Sequence, residues 1–126
     1  MKVIAYKEKI IKAKALFIDL PMYNIKVYVF TPKMNKELTE KHGWEECYDG
    51  QARNYIDDHR NVMVRFNYDT EGNVAHEMLH VVQFVMEAIG HNLDESGDEP
   101  SAYLLGYLVD EYYRLKKELK KKKKNG

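Results

Sequence analysis

Apolar and polar residues alternate along Ile25-Lys-Val-Tyr-Val-Phe30 and again from Asn61 to Tyr68. In the second stretch Val62, Val64, Phe66 and Tyr68 fall on one side, and Met63, Arg65 and Asn67 on the other. A period of two in β-branched and aromatic residues predicts a strand at each place, the second half-buried. Pro21 separates the first from a shorter apolar run at 16–20, which predicts an earlier strand, while residues 7–14 suit either a strand or a short helix. Thr31 before Pro32 reads as an N-cap with proline in the first turn, opening a helix over 32–42 that Gly43 ends. Asp49-Gly50 reads as a hairpin turn joining strands at 45–48 and 51–56.

Beyond residue 70 the period changes to that of a helix. One helix is predicted over 74–89, after Gly72-Asn73 and before Gly90, and a second from Pro100 to at least Leu119. Leu104, Leu108, Tyr112, Leu115 and Leu119 recur on the second at the spacing of a stripe facing a core. Strands followed by two helices predict an α+β fold: a twisted sheet of about four or five strands, mostly antiparallel or mixed, packed against the two long helices. The 126 residues suit one domain, placed at 1–119, with 120–126 expected to form a lysine-rich disordered tail.

Charge alters this picture in one respect. The net charge is zero, yet residues 1–112 carry 12 Lys and Arg against 19 Asp and Glu, and residues 113–126 carry 8 against 1. An acidic body with a basic end excludes a uniformly basic nucleic-acid binder. It leaves open a weak contact of the lysine tail with nucleic acid or an acidic partner. The single cysteine, Cys47, excludes an internal disulfide and reads as small filler beside Trp44. No apolar run approaches the roughly 18 residues of a membrane span. The N-terminal lysines are scattered rather than placed before an apolar block, so a cytoplasmic location is expected.

The chemistry lies in His76-Glu77-Met78-Leu79-His80, an H-E-x-x-H on the helix over 74–89. Four helical residues advance about 400°, so the two imidazoles leave successive turns in one direction and can meet one tetrahedral zinc ion. Glu77 flanks the same face, in reach of a metal-bound water, as a general base would. With 5 His and 12 Glu in the chain, shuffled sequences would show the pattern about one time in fifty. The remaining surface of the helix is almost wholly apolar, which predicts burial, and the one polar stripe (His76, His80, Gln83, Glu87) then needs partners that a metal would supply.

Zinc in a catalytic site takes a third protein ligand and keeps a fourth position for water. The acidic segment between the helices offers His91, Asp94, Glu95, Asp98 and Glu99. Glu99 is favoured, because it heads the last helix, which an antiparallel packing would bring toward the histidines. Tyr103, one turn further on, could steady a developing oxyanion. Gln83 could orient a ligand, and His91 and His59 are further possible donors.

His76-Glu77-x-x-His80 with a later helix-borne glutamate resembles the gluzincin branch of HExxH zinc metallopeptidases. The resemblance implies His76, His80 and Glu99 as zinc ligands and Glu77 as the base. It also implies that the strand from Asn61 to Tyr68 is an edge strand holding a peptide or protein substrate by strand addition. The segments Val74-Ala-His-Glu…His80 and Asp98-Glu-Pro-Ser-Ala-Tyr-Leu-Leu-Gly-Tyr107 are similar to short phage-encoded zincin-like proteins, over about 60–110. Gln83 and Met86 stand where metzincins need glycine and histidine. Tyr103 stands where large gluzincins commonly have aspartate, and the chain is too short for their second, cleft-closing domain. The expectation is a zinc-dependent peptidase; the alternative is an inert metal-binding or interaction protein of phage or prophage type.

Overall fold

The structure, a computed structural model, describes residues 2–6, 9–55, 58–90 and 98–125, with side chains over 13–53, 61–90 and 99–122. The N-terminal strands β1 (Lys2–Tyr6) and β2 (Lys9–Ala13) pair antiparallel as a separate two-stranded ribbon, which decides for strand over 9–13, within the stretch the sequence left open. Next come β3 (Leu16–Leu20), a single 3-10 turn at Pro21–Tyr23, and β4 (Ile25–Phe30). Helix α1 (Pro32–His42) starts and stops as its sequence dictates: the Thr31 hydroxyl accepts the Met34 N–H at 3.3 Å, and Gly43 adopts φ 69° at the C-terminal end. Strands β5 (Gly50–Tyr55) and β6 (Asp58–Phe66) follow, then helices α2 (Glu71–Ala88) and α3 (Asp98–Asn125). The fold is α+β.

The four strands of the main sheet run in the order β3-β4-β6-β5. Only the β4–β6 pair is parallel, with Val27 opposite Val62 and Val29 opposite Val64. Strand β6 is therefore internal, which corrects the expectation that Asn61 to Tyr68 lies at an edge. The physical reason is pairing on both sides, with β4 and with β5, and Val62, Met63, Val64, Arg65 and Phe66 are all fully buried, so both faces are covered as well. One face packs Val62, Val64 and Phe66 against Val74, Met78, Val81, Val82 and Val85 of α2 and Leu104, Leu108 and Tyr112 of α3. On the other side, Met63 joins Phe30, Met34, Leu38 and Trp44 beneath α1. The edges of the sheet are β3 and β5 instead.

Residues 45–48, expected as a strand, form none; the β5 pairing runs to β6. This segment is held by side chains rather than by a ladder. The buried Arg65 donates from Nε to Asn35 Oδ1 at 2.5 Å, and its guanidinium lies 5.4 Å from the centre of the Trp44 ring. Asn35 donates to Asn67 Oδ1 at 2.7 Å, and the Asn67 amide in turn donates to the carbonyls of Cys47 and Tyr48. The network ties α1, the end of β6 and residues 47–48 together, and so fixes where Tyr48 and Asp49 stand.

Helix α2 begins three residues earlier than the apolar period suggests, because Thr70 caps it by accepting the Asn73 N–H at 3.4 Å. Tyr112 fixes α3 against it: its hydroxyl donates to Asp69 Oδ2 at 2.9 Å, just ahead of α2, while Lys116 pairs with the same carboxylate and the Tyr113 hydroxyl donates to the Asp69 carbonyl at 3.1 Å. From that contact the end of α2 lies about 29 Å away along its axis and the start of α3 about 21 Å, a gap the ten residues from Ala88 to Asp98 can bridge only if the helices run antiparallel. It also continues to Asn125, so the lysine stretch expected to be disordered is helical. Lysine is a good helix former, and cations are favourable at a helix C-terminus. No described helix is long and apolar enough to cross a membrane.

Candidate active site

Helix α2 presents the H-E-x-x-H motif with its three polar members in different surroundings. The His76 and His80 rings lie 5.1 Å apart, centre to centre, at a steep angle on successive turns. Both histidines are exposed, as are Gln83 and Glu87. This corrects the expectation of a buried polar stripe: α2 leaves one face open to solvent, with even Leu79 well exposed, so burial does not by itself demand partners for the histidines. Glu77 is the buried member, only 6% exposed. Its Oε1 lies 3.8 Å from His76 Nε2, beyond hydrogen-bond length. No hydrogen bond to it is made among the described residues.

Glu77 is buried because β5 closes over it at a glycine. A Cβ on Gly50 would stand 2.8 Å from the Arg65 carbonyl oxygen and 2.8 Å from Glu77 Cγ. Gly50 is thus the residue that lets the sheet edge approach the carboxylate. Burial raises the Glu77 pKa above the usual carboxylate value; the charges of His76 and His80 pull it down and that of Asp49 pushes it further up. A carboxylate so placed holds a proton more readily than an exposed one.

A cavity of about 390 Å³ opens beside it, lined by Tyr48, Asp49, Tyr68, Asn73, His76 and Glu77 among others. Asn73, nearly buried, donates its amide to the Asp49 carbonyl at 2.8 Å and the Tyr68 carbonyl at 2.6 Å, joining the two segments that form the far wall. Asp49 holds the pKa of the Tyr68 phenol up, first as acceptor for its hydroxyl proton. Sequence reasoning missed Asp49, Gly50, Tyr68 and Asn73 as site residues. Asp49-Gly50 carries a strong turn signal and Gly72-Asn73 a loop signal, and neither pair says what it faces.

The expected partners on α3 are placed elsewhere. Tyr103 is 76% exposed and lines a separate apolar groove with Leu20, Pro21, Met22, Tyr23 and Pro100, not the cavity at Glu77. It is therefore no donor to that cavity. The first turns of α3 lie beside the β3–β4 connection instead. Glu99, beside Pro100, is exposed. Among the described residues no three His, Cys, Asp or Glu side chains gather as a metal-holding group, so Glu99 does not join the histidines. His91, Asp94 and Glu95 lie outside the described residues, as do the side chains of Asp98 and His59.

The donors present still fit two ligands of a zinc site. His80 Nδ1 lies 3.1 Å from Gln83 Oε1; with the proton on that nitrogen, Nε2 keeps a lone pair for a metal, and the ring is oriented as a ligand's second partner would orient it. Comparison with protein-family models, with curated proteins and with solved structures returns no match to this chain.

Proposed function

We propose that the chain is a minimal zincin-like hydrolase of peptide bonds. The observation that carries the reading is Glu77: a mostly buried carboxylate, with no hydrogen bond among the described residues, between two histidines and facing a cavity. Burying such a group unsatisfied is costly, and in a cleft it marks chemistry more often than packing. His76 and His80 supply two ligands in this reading; Glu99, which stands apart from them in this structure, would have to close on them to serve as the third. Counting about 1.5 Å per residue from the Tyr112–Asp69 contact, Glu99 comes within about one helical turn of the level of His80.

Zinc held there would supply Lewis acidity toward the scissile carbonyl and acidify a water. Glu77 accepts a proton from the attacking water as its oxygen bonds to the carbonyl carbon. It then delivers that proton to the nitrogen as the C–N bond breaks. The substrate adds along the outer edge of β5, the strand that carries Gly50 past Glu77, instead of along β6.

A second reading is an inert metal-binding or interaction protein of phage type, in which the exposed His76 and His80 serve only as a metal-holding pair on an open helix face. One experiment separates them. Purified protein loaded with zinc is assayed for bound metal and for cleavage of a peptide library, as wild type, His80→Ala and Glu77→Gln. The hydrolase reading expects one zinc per wild-type chain, loss of zinc in His80→Ala, and zinc without turnover in Glu77→Gln. Equal zinc in wild type and His80→Ala overturns both readings, and zinc with no cleavage by wild type leaves the inert one.

A further inference from the structure

We propose that the cavity beside Glu77 is a subsite for a protonated amine of the substrate, with Asp49 as its counter-ion and Tyr48 and Tyr68 as its walls. This rests on the hydrolase reading for what occupies it, a peptide, and adds the charge of the group that enters. The cavity is lined by two carboxylates, Asp49 and Glu77, and by no lysine or arginine. Glu77 is more than nine-tenths buried, points into it and has no hydrogen bond there among the described residues. The cavity thus presents two carboxyl groups, beside the single imidazole of His76, to whatever enters. An anionic group would meet like charge at close range; a protonated amine is attracted by both carboxylates.

The aromatic residues point the same way. Tyr48 is 97% exposed and Tyr68 is 45% exposed, so neither ring is placed there by core packing. Both line the cavity, and an ammonium group is the partner that an open tyrosine face attracts. The backbone that carries the walls is also fixed in advance. Asn67 holds the Tyr48 carbonyl, and Asn73 holds those of Asp49 and Tyr68. Little ordering cost is therefore left for the moment of binding. These contacts use the Asp49 backbone, so the side chain can be changed without cutting them.

The shared chemistry is an ammonium, from either a free peptide N-terminus or a lysine side chain. The test uses one peptide sequence in four forms: free or acetylated N-terminus, each with lysine or norleucine. Hydrolysis is measured with zinc-loaded wild type, and binding by fluorescence anisotropy with zinc-loaded Glu77→Gln. The expectation is a preference of about tenfold or more for the form whose amine enters, as a charge-assisted contact would give, with the acetyl and norleucine arms naming which amine it is. Adding Asp49→Asn to either protein should erase most of the preference. Charged and neutral forms bound equally, no binding of the charged forms, or a preference unchanged by Asp49→Asn overturns the proposal. Charge-selective, Asp49-dependent binding without hydrolysis by wild type overturns the hydrolase reading and leaves the subsite standing.

Discussion

Two carboxylates eight positions apart, Asp69 and Glu77, show how differently one helix can use the same chemistry. Asp69, just ahead of α2, is held by the Tyr112 hydroxyl and the Lys116 ammonium on α3. Burial alone would raise its pKa, but those hydrogen bonds and the lysine charge outweigh it, and the group stays below the usual aspartate value. Glu77, two turns into α2, is buried beneath β5, has no hydrogen bond among the described residues, and is shifted upward. The first is a satisfied polar group that locks two helices. The second makes no hydrogen bond among the described residues and faces a cavity that can bring it a partner. Satisfaction, rather than burial, separates a structural carboxylate from a chemical one.

The sharpest way to break that contrast is to exchange charge for amide at each site. Glu77→Gln should lower kcat/KM by about 10²–10⁴, while leaving thermal stability equal or higher, because a neutral amide replaces a desolvated charge. Asp69→Asn should leave kcat/KM of the folded protein unchanged and lower the urea midpoint. A Glu77→Gln protein that hydrolyses peptides at the wild-type rate removes the chemical half of the comparison.

Gly50→Ala tests whether the β5–α2 approach is what buries Glu77. The added methyl meets backbone on one side and the Glu77 side chain on the other. Overpacking of this kind costs about 1–3 kcal/mol, and the displaced carboxylate should also lose activity. Denaturant unfolding and kcat/KM on the same preparation check both, and a variant equal to wild type in both would mean the strand has room to give. Tyr112→Phe probes the other end. It removes one hydrogen bond from Asp69 and leaves the ring against Phe66, 5.0 Å between centres, so the loss should be about 1 kcal/mol with no change in kcat/KM.

What the sequence made legible follows the range of the forces involved. The limits of α1, the helical motif on α2 and the leucine stripe on α3 are written in residues within a few positions of one another, and the structure has them. Strand order is not local. Arg65 alternates with apolar neighbours and reads as a solvent-side residue, yet it is fully buried because Asn35 of α1 and Trp44 come to meet it. That single misplacement hides the second covered face of β6; its reading as an edge came from the resemblance to gluzincins, and pairing with both β4 and β5 overturns it. The α2 stripe erred the other way: eleven apolar residues suggested burial all round, where the helix has an open face. Tyr103 was read from its spacing to Glu99, and only the packing of α3 decides where that spacing lands.

The smallest expected effect is the dependence of stability on pH, and Asp69 sets its sign. An aspartate in the unfolded chain titrates near 3.9, and in the folded protein Asp69 lies below its ordinary value. The folded state therefore holds the ionised form more strongly, so its contribution is present above the unfolded pKa and is lost as pH falls through the folded one. Urea midpoints from pH 6 down to pH 2 should fall more steeply for wild type than for Asp69→Asn, and the two curves should converge in acid. The effect is small because the pair is partly open to water, where screening weakens it. Lys116→Gln should recover part of the difference, since Tyr112 still donates to the carboxylate. Parallel curves for wild type and Asp69→Asn would mean that Asp69 is no lock, and that the two carboxylates differ only in burial.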